Sequence, residues 1–350
     1  MDVYSGPFLT EDGFINTQVE VEKDEVRCFQ EGGDEGKKAI MIPAFFNAHA
    51  HIGDSVVKKP PTGSLEDIVG PEGKKHKILA EKSIEEKVKA MKNFLEEMHS
   101  YGIRYFIDFR EKGIKGLRCI KKALDAVEVE ISPIIMSRPK KRKYDSWELN
   151  QILSMADGIG LSAHRDWDEI QISKIASTTK SQNKPFALHC SENVREPIEE
   201  ILELDVHHLV HMVEANSSDM EMCADEKIPV VICPRSNMFF GKIPDIPRMI
   251  ETGLSLSLGT DNAMISNGNM FREMETAYRL ARINGEVDPL EILMMCTWNP
   301  RNDLIIDPNN YEEDHLLILE YKDGDPASKV VLDHSPKDII KVVRWKDGKV

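Results

Sequence analysis

Hydrophobic and polar residues follow two different rhythms along this chain of 350 residues. Toward both ends, apolar and polar residues partly alternate with a period of about two, which is typical of strands. Between these end regions, short apolar runs are separated by longer segments that have apolar residues at helical spacing. The pattern predicts a small β unit made from both ends of the chain and a larger α/β unit between them. The alternating stretches are 13–29, 315–322, 329–332 and 340–345.

The central part contains eight apolar runs, each short enough to form one buried strand. Ser83, with Glu86 three residues later, predicts a capping box at the start of the first helix. The runs are 40–47, 103–109, 129–136, 158–162, 186–190, 208–212, 229–233 and 254–259. Helical patterns lie at 83–99, 114–126, 168–180, 196–204, 217–226 and 269–283.

Eight apolar strands that alternate with helices are typical of a parallel sheet buried on both faces. We predict an α/β fold, a (β/α)8 TIM barrel over residues 40–313, with a small appended β-sandwich formed by residues 1–39 and 314–350. A doubly wound open sheet is the alternative, but no glycine-rich fingerprint follows the first strand. Residues 53–80 interrupt the rhythm and are rich in Gly, Pro and Lys, which predicts a long loop at the C-terminal face and a candidate lid.

The amino-acid composition argues against some classes of protein. Lys and Arg total 45 against 60 Asp and Glu, a net charge of −15, which argues against a nucleic-acid polymer as partner. No window approaches the roughly 18 apolar residues that span a membrane, and the N-terminus lacks a signal pattern. The six cysteines contain no CxxC pair and are typical of reduced thiols in the cytoplasm. We expect a cytoplasmic protein with a small-molecule substrate, and the sequence does not decide between a monomer and a homo-oligomer.

Candidate metal ligands stand at the ends of four predicted strands, which is where barrel enzymes build their active sites. His49 and His51 end the first strand, and alternate residues of a strand point to the same side. His189 ends the fifth strand and Asp261 follows the eighth. Three histidines and a carboxylate that converge on one mouth would suit zinc or ferrous iron. Each residue alone is a weak signal, and their shared position at strand ends makes the prediction.

Five motifs together resemble the amidohydrolase superfamily. Within it, they are most similar to the branch that contains cytosine deaminase, S-adenosylhomocysteine/methylthioadenosine deaminases and triazine chlorohydrolases. Members of that superfamily are (β/α)8 barrels with an appended β-sandwich, in line with the pattern above. The motifs are HAH at 49–51, HCSEN at 189–193, HLVHM at 208–212, CPRSNMFFG at 233–241 and LGTDNAMISN at 258–267.

The resemblance implies a role for each matching residue. His49, His51, His189 and Asp261 would hold one divalent metal ion, with zinc preferred and iron as the alternative. Glu192 would shuttle protons, Asp261 would accept a second proton, and His211 would contact the attacking water or the substrate. A second HxxE pattern at His211 and Glu214 competes with the one at His189 and Glu192, and we favour Glu192. Residues Arg235, Ser236 and Asn237 follow the seventh strand, where a barrel enzyme meets its substrate.

The resemblance also predicts the number of metals and the reaction. Members with two metals carry a carboxylated lysine, usually at the end of strand four, where this chain has GIGLSAHRD at 158–166 without a lysine. We therefore predict a mononuclear aminohydrolase that acts on a purine or pyrimidine base or nucleoside with loss of ammonia. Hydrolysis of a cyclic amide, or of a halide or alkylamine on a triazine, is the alternative. A third class, a metal-binding scaffold without activity, is disfavoured because all six positions are filled.

Overall fold

The computed structural model describes residues 1–70, 72–305 and 313–346, and for Glu313 and Lys346 it describes only the backbone. Pro71, within the predicted lid, and residues 347–350, within the predicted terminal unit, lie outside the described residues. In the described part of the chain, strands form two sheets, one small and closed, the other larger and parallel. No helix there combines the length and the apolar character that crossing a membrane requires.

The small sheet is built from both ends of the chain, as predicted. Its six strands close on one another in the order β1-β2-β3-β15-β14-β4, so the predicted two-sheet sandwich is replaced by a small barrel. Closure results from parallel pairing of β1 with β4, where Tyr4 lies opposite Lys37 and Phe8 opposite Met41. Pairing of the two edges satisfies backbone groups that an open sheet would leave exposed. The strands are β1 (Asp2–Thr10), β2 (Gly13–Glu22), β3 (Glu25–Glu31), β4 (Lys37–Pro43), β14 (Glu313–Glu320) and β15 (Ile339–Lys346).

Two strand predictions near the ends are wrong. The apolar run 40–47 spans two strands, because the hydrogen-bond partners change from the small barrel to the parallel sheet. Ala44 N donates to His315 O at 2.7 Å, and Phe45 N donates to Gly102 O at 3.0 Å. The stretch 329–332 lies in a π-helical turn (Lys329–Asp333), where Lys329 Nζ pairs with Asp333 at 2.7 Å. Its apolar residues Val330 and Val331 are neighbours and both buried, so a period of two does not apply.

The larger sheet is parallel and curled, with the order β12-β11-β10-β9-β8-β7-β6-β5-β13. The strands at the two edges of the sheet, β12 and β13, are separated along the chain by only Gly259 and Thr260. β12 pairs with β11, and β13 pairs with β5. The strands are β5 (Phe45–His51), β6 (Ile103–Arg110), β7 (Ser132–Ser137), β8 (Gly158–Leu161), β9 (Phe186–Cys190), β10 (His208–His211), β11 (Val230–Ile232), β12 (Leu256–Leu258) and β13 (Asp261–Asn262).

Helices connect these strands, and each predicted helix is present within a few residues of its expected bounds. The predicted capping box is confirmed, since Ser83 N donates to Glu86 Oε2 at 2.8 Å and Glu86 N donates to Ser83 Oγ at 3.1 Å. The helices are α1 (Leu65–Val69), α2 (Lys74–Glu81), α3 (Ile84–Ser100), α4 (Gly113–Asp125), α5 (Ser146–Leu153), α6 (Glu169–Ser181), α7 (Ile198–Leu202), α8 (Ser217–Asp225), α9 (Pro234–Phe239), α10 (Ile246–Glu251), α11 (Met270–Asn284), α12 (Pro289–Met294), α13 (Trp298–Leu304) and α14 (Pro326–Ser328).

The segment 53–80 is more structured than the predicted loop. It overlaps a 3-10 helix (Ile52–Val56) and contains α1 and most of α2. A capping box between Ser64 and Asp67 begins α1, because Asp67 N donates to Ser64 Oγ and Ser64 N donates to the Asp67 carboxylate. Gly and Pro in this segment therefore separate short helices, and the segment contributes residues to the functional site.

Candidate metal centre and acid–base site

The carboxyl ends of the parallel strands bring together four side chains with metal-ligand atoms. His49 and His51 lie on β5, His189 on β9 and Asp261 on β13, and one ligand atom from each lies within 4.8 Å of the others. Asp261 Oδ1 is 3.4 Å from Nε2 of His49 and 3.4 Å from Nε2 of His51. The strand-end pattern therefore located side chains that converge in space.

The ring orientation of two of these histidines is held by the backbone. His51 Nδ1 lies 3.1 Å from Phe109 O, and His189 Nδ1 lies 2.7 Å from Leu161 O. A carbonyl oxygen only accepts, so each Nδ1 carries a hydrogen and each Nε2 presents a lone pair. These two Nε2 atoms lie 3.3 Å apart. Burial, followed by the charges of neighbouring histidines, lowers the pKa of both rings well below the ordinary value, which keeps them neutral.

This arrangement fits a divalent cation. Two lone pairs that face each other repel unless a positive charge lies between them. His49 is fully buried, its Nδ1 has no hydrogen-bond partner, and its Nε2 lies 3.4 Å from Asp261 Oδ1. Burial raises the pKa of Asp261, but hydrogen bonding to His49 and the histidine charges outweigh burial, so its pKa lies well below the ordinary value. Three neutral imidazoles and an ionised carboxylate are a ligand set that zinc and ferrous iron accept.

Glu192 and His211 lie next to this cluster. Glu192 Oε1 is 3.6 Å from His211 Nε2, and the two side chains lie with Asp261 in a second group of close polar atoms. Burial, reinforced by the charge of Asp261, raises the pKa of Glu192 to about 8. A carboxyl with a pKa near neutrality can both take and give a proton at working pH. Glu214, the competing carboxylate, binds Lys242 and does not line the same cavity.

The backbone is strained at the last residue of β10 and at the first residue of β13. His211 has a φ of +83° and Asp261 a φ of +55°, both in the left-handed region. Such conformations cost about 1–3 kcal/mol for residues other than glycine and concentrate at functional sites. Neither residue has the extended backbone of a strand. The alternation of side chains along a strand therefore does not predict where the side chains of His211 and Asp261 point.

The three residues predicted to bind substrate lie on α9, and none of them lines the cavity. Arg235 is paired with the fully buried Glu273, and its Nη1 donates to Asn267 at 2.8 Å. Ser236 donates a hydrogen bond to Asp261 Oδ2, and Asn237 Nδ2 lies 3.2 Å from His211 Nδ1. Direct contact of these residues with a substrate stays a prediction, whereas the structure shows them in contact with the site's own side chains.

A cavity of about 90 Å³ opens above the ligand cluster, and its lining includes residues that the sequence reasoning missed. Glu111, Arg138 and Arg165 follow strands β6, β7 and β8, so the strand-end rule could have found them if it had been applied to every strand. Lys75 had no such signal, since it lies in a run of lysines on α2. The remaining wall includes Leu65, Glu66, Val69 and Gly70 of the predicted lid, together with Glu192, His211 and Phe240.

Lys75 ties the segment that contains α1 and α2 to the strand ends. Its Nζ lies 3.0 Å from Asp54 Oδ2 and 3.1 Å from Glu111 Oε1, and the lysine is almost completely buried. Arg138 donates to the same Glu111 oxygen at 2.9 Å. The charges of Asp54 and Glu111 outweigh the effect of burial and raise the pKa of Lys75 above its ordinary value. Buried charges are therefore paired on this wall of the cavity.

Comparison with known proteins agrees with the fold. Residues 40–307 match the Amidohydrolase family. An uncharacterized protein of Methanocaldococcus jannaschii, MJ0699, is 33% identical over 75% of this chain and 72% of its own length. The 5-methylthioadenosine/S-adenosylhomocysteine deaminase of Thermotoga maritima is 27% identical over 74% of this chain and 68% of its own. An adenosine deaminase from Xanthomonas campestris, solved with bound zinc, superposes with a TM-score of 0.71 at 13% identity over 99% of this chain and 92% of its own.

Proposed function

The chain belongs to the amidohydrolase family, and from this premise we propose that it is a metal-dependent deaminase. Its substrate would be an amino-substituted purine or pyrimidine, as the free base or the nucleoside. The observation that carries this proposal is the contact between the four-ligand cluster and a partly buried carboxyl: Glu192, His211 and Asp261 share one group of close polar atoms. The curled parallel sheet would then be the closed (β/α)8 barrel of the family, with the site at its C-terminal mouth.

One zinc ion is the metal that we propose, with iron as the alternative. His49, His51, His189 and Asp261 would hold it. When bound, such an ion lowers the pKa of water and so makes a nucleophile available near neutral pH. A single ion is proposed because β8 and the residues that follow it, Ser162 and Ala163, offer no lysine for carboxylation. The zinc in the Xanthomonas campestris enzyme, which shares the fold, supports this choice of metal.

The side chains of this chain would then move the protons. Water adds its oxygen to the ring carbon that bears the amino group, and an unprotonated ring would become a costly anion. Glu192 takes one proton from the attacking water and delivers it to the adjacent ring nitrogen. Asp261 takes the second proton and passes it to the amino group, so the carbon–nitrogen bond breaks and ammonia leaves. His211, beside Glu192, holds the attacking oxygen or the substrate in place.

The substrate class rests on chemistry and on the relatives. A partly buried carboxyl with a pKa of about 8 suits protonation of a ring nitrogen, which deamination of a heteroaromatic ring requires. The Thermotoga maritima relative is a deaminase of adenosine-type compounds by name, which supports a nucleoside. The cytoplasmic location and the domain boundaries at 39/40 and 313/314 stay predictions.

An ammonia-release screen tests the proposed function. The zinc-loaded protein is incubated with a panel of amino-substituted bases, nucleosides and S-adenosyl compounds, and ammonia and the ultraviolet spectrum are followed together. We expect one compound class to release ammonia with a matching spectral change, and Glu192→Gln to abolish both signals. Cyclic amides are tested beside the panel, and their ring opening, with no ammonia from any member of the panel, would favour the alternative hydrolase and contradict the deaminase.

A further inference from the structure

Helix α9 lies directly behind the site, and three consecutive side chains anchor it there. Arg235 N donates to Glu273 Oε1 at 2.9 Å, and the Arg235 guanidinium pairs with the other oxygen of the same carboxylate. Glu273 is fully buried on α11, and Arg235 also binds Asn267. Because both the backbone and the side chain of Arg235 are held, the next two residues, Ser236 and Asn237, have little freedom to shift.

Asn237 contacts the far side of the His211 ring. Its Nδ2 lies 3.2 Å from His211 Nδ1, and both side chains are buried. An amide nitrogen only donates, so His211 Nδ1 is the acceptor and carries no hydrogen. The ring is therefore neutral and has its hydrogen on Nε2, which is the atom that faces Glu192 at 3.6 Å. If the Asn237 amide were turned the other way, its oxygen would accept a hydrogen bond from Nδ1, and the hydrogen of the His211 ring would be on Nδ1. The two amide orientations therefore predict different tautomers, which can be distinguished by measurement.

Ser236 acts on Asp261 in the same way. Its hydroxyl donates to Oδ2, while Oδ1 is the oxygen that lies 3.4 Å from Nε2 of both His49 and His51. A hydroxyl on one oxygen of a carboxylate fixes the rotation of the group and leaves the other oxygen toward the metal. In both contacts, α9 binds the atom that does not face the neighbouring site residue: Nδ1 of His211, whose Nε2 faces Glu192, and Oδ2 of Asp261, whose Oδ1 faces His49 and His51.

We infer that α9 is an orienting element of the site: Asn237 holds His211 as the Nε2–H tautomer, Ser236 turns Asp261 Oδ1 toward the metal ligands, and Arg235 fixes the helix. The three are positioning residues, a role separate from the substrate contacts that their location after β11 predicts. The groups on which His211 Nε2 and Asp261 Oδ1 act during the reaction depend on the proposed function. The tautomer of His211 does not depend on the proposed function, the affinity for zinc depends only on the proposed metal site, and both are measured without a substrate.

The tautomer is tested by nitrogen-15 NMR of the full chain with labelled histidine and bound zinc, with the His211 signals identified by their loss in His211→Gln. We expect hydrogen on Nε2 alone in the wild type. In Asn237→Asp the carboxylate accepts only, so a hydrogen should appear on Nδ1. Asn216→Asp, the same change at the cap of α8, should leave His211 unaltered. A wild-type ring with its hydrogen on Nδ1, or an unchanged ring in Asn237→Asp, overturns the inference.

The second arm measures zinc affinity by competition with a chelator. Loss of an outer partner of a metal ligand typically weakens binding about 10–100-fold, and we expect this loss in Ser236→Ala. Ser257→Ala removes another fully buried hydroxyl, one without a hydrogen-bond partner, and should bind zinc like the wild type. Equal affinities for Ser236→Ala and Ser257→Ala overturn the role of Ser236. If both arms succeed and no ammonia is released from any substrate, the proposed function fails while the inference stands.

Discussion

The Nε2 atoms of His51 and His189 face each other at 3.3 Å, with the opposite nitrogen of each ring held by a backbone carbonyl. Neither ring can turn its lone pair away without losing its hydrogen bond to Phe109 O or Leu161 O. The two rings come from strands that are far apart in sequence, so the fold itself holds this repulsive pair in place. The favourable interaction that offsets the repulsion would come from a shared cation.

We therefore predict about one equivalent of zinc or iron per chain and a clear loss of stability when it is removed. Zinc at a thousandfold above its Kd would stabilise the folded state by about 4 kcal/mol. Elemental analysis and thermal melts of the loaded and chelator-treated protein check both points. Two tightly held metals per chain, both needed for activity, would contradict the single site.

Glu192→Gln should retain the metal and the fold but lose turnover by about 10²–10⁴-fold, the range for a general acid–base group. The amide keeps the size of the side chain and cannot take the proton. His189→Ala should differ, losing metal and activity together, because it removes a ligand. The matched control is Glu214→Gln, which alters a carboxylate bound to Lys242. A dead Glu214→Gln beside an active Glu192→Gln would reverse the assignment.

Lys75→Met should destabilise the protein by about 3–5 kcal/mol, because it leaves the buried Asp54 carboxylate without its ion-pair partner and Glu111 with Arg138 alone. We also expect the segment 57–82 to become sensitive to protease and kcat/KM to fall, since Lys75 holds this segment over the cavity. Urea unfolding and timed proteolysis measure the two effects. Lys77→Met, on the exposed side of the same helix, serves as the control. Equal proteolysis of the two variants would show that Lys75 does not hold the segment.

Arg301 and Asp314 form a largely buried ion pair between α13 and β14, with contacts of 2.7 and 2.9 Å. Burial alone would raise the pKa of Asp314, but the charge and hydrogen bonds of Arg301 outweigh burial and lower it. A carboxylate with a lowered folded-state pKa adds stability above its unfolded pKa of about 3.9, and that stability is lost as pH falls toward the folded value.

In Arg301→Met, the contribution of Asp314 to stability should increase as pH falls, which is the reverse of its pH dependence in the wild type. Without the guanidinium, burial would raise the pKa of Asp314, so the variant should be less stable than the wild type by about 3–5 kcal/mol at pH 7. The deficit should shrink as pH falls toward 4, because Asp314 in the folded variant then takes up a proton and is no longer an unpaired charge. Urea denaturation of both proteins at pH 7 and pH 4.5 measures the difference, and the Arg301→Met/Asp314→Leu double variant is the control. A deficit that is constant with pH would contradict the assignment.

Much of the candidate site could be predicted from the sequence. His49, His51, His189, Glu192, His211 and Asp261 all stand at or just after apolar runs, and parallel strands place their carboxyl ends at one mouth. Local pattern was sufficient because each residue needed only its own strand to be recognised. Ser83 and Glu86 could be predicted for the same reason, since a capping box joins residues three apart.

Only the tertiary structure decided the contacts between distant parts of the chain. Asn237 and His211, or Lys75 and Glu111, meet across 26 and 36 residues, and no periodic pattern links them. The same holds for closure of the small barrel, which depends on pairing of β1 with β4 and not on the residues within either strand. By itself, the sequence determined which side chains reach the mouth, because strand ends are local features. Their orientation follows from hydrogen bonds formed after folding, and the partner in each bond is chosen by proximity in space.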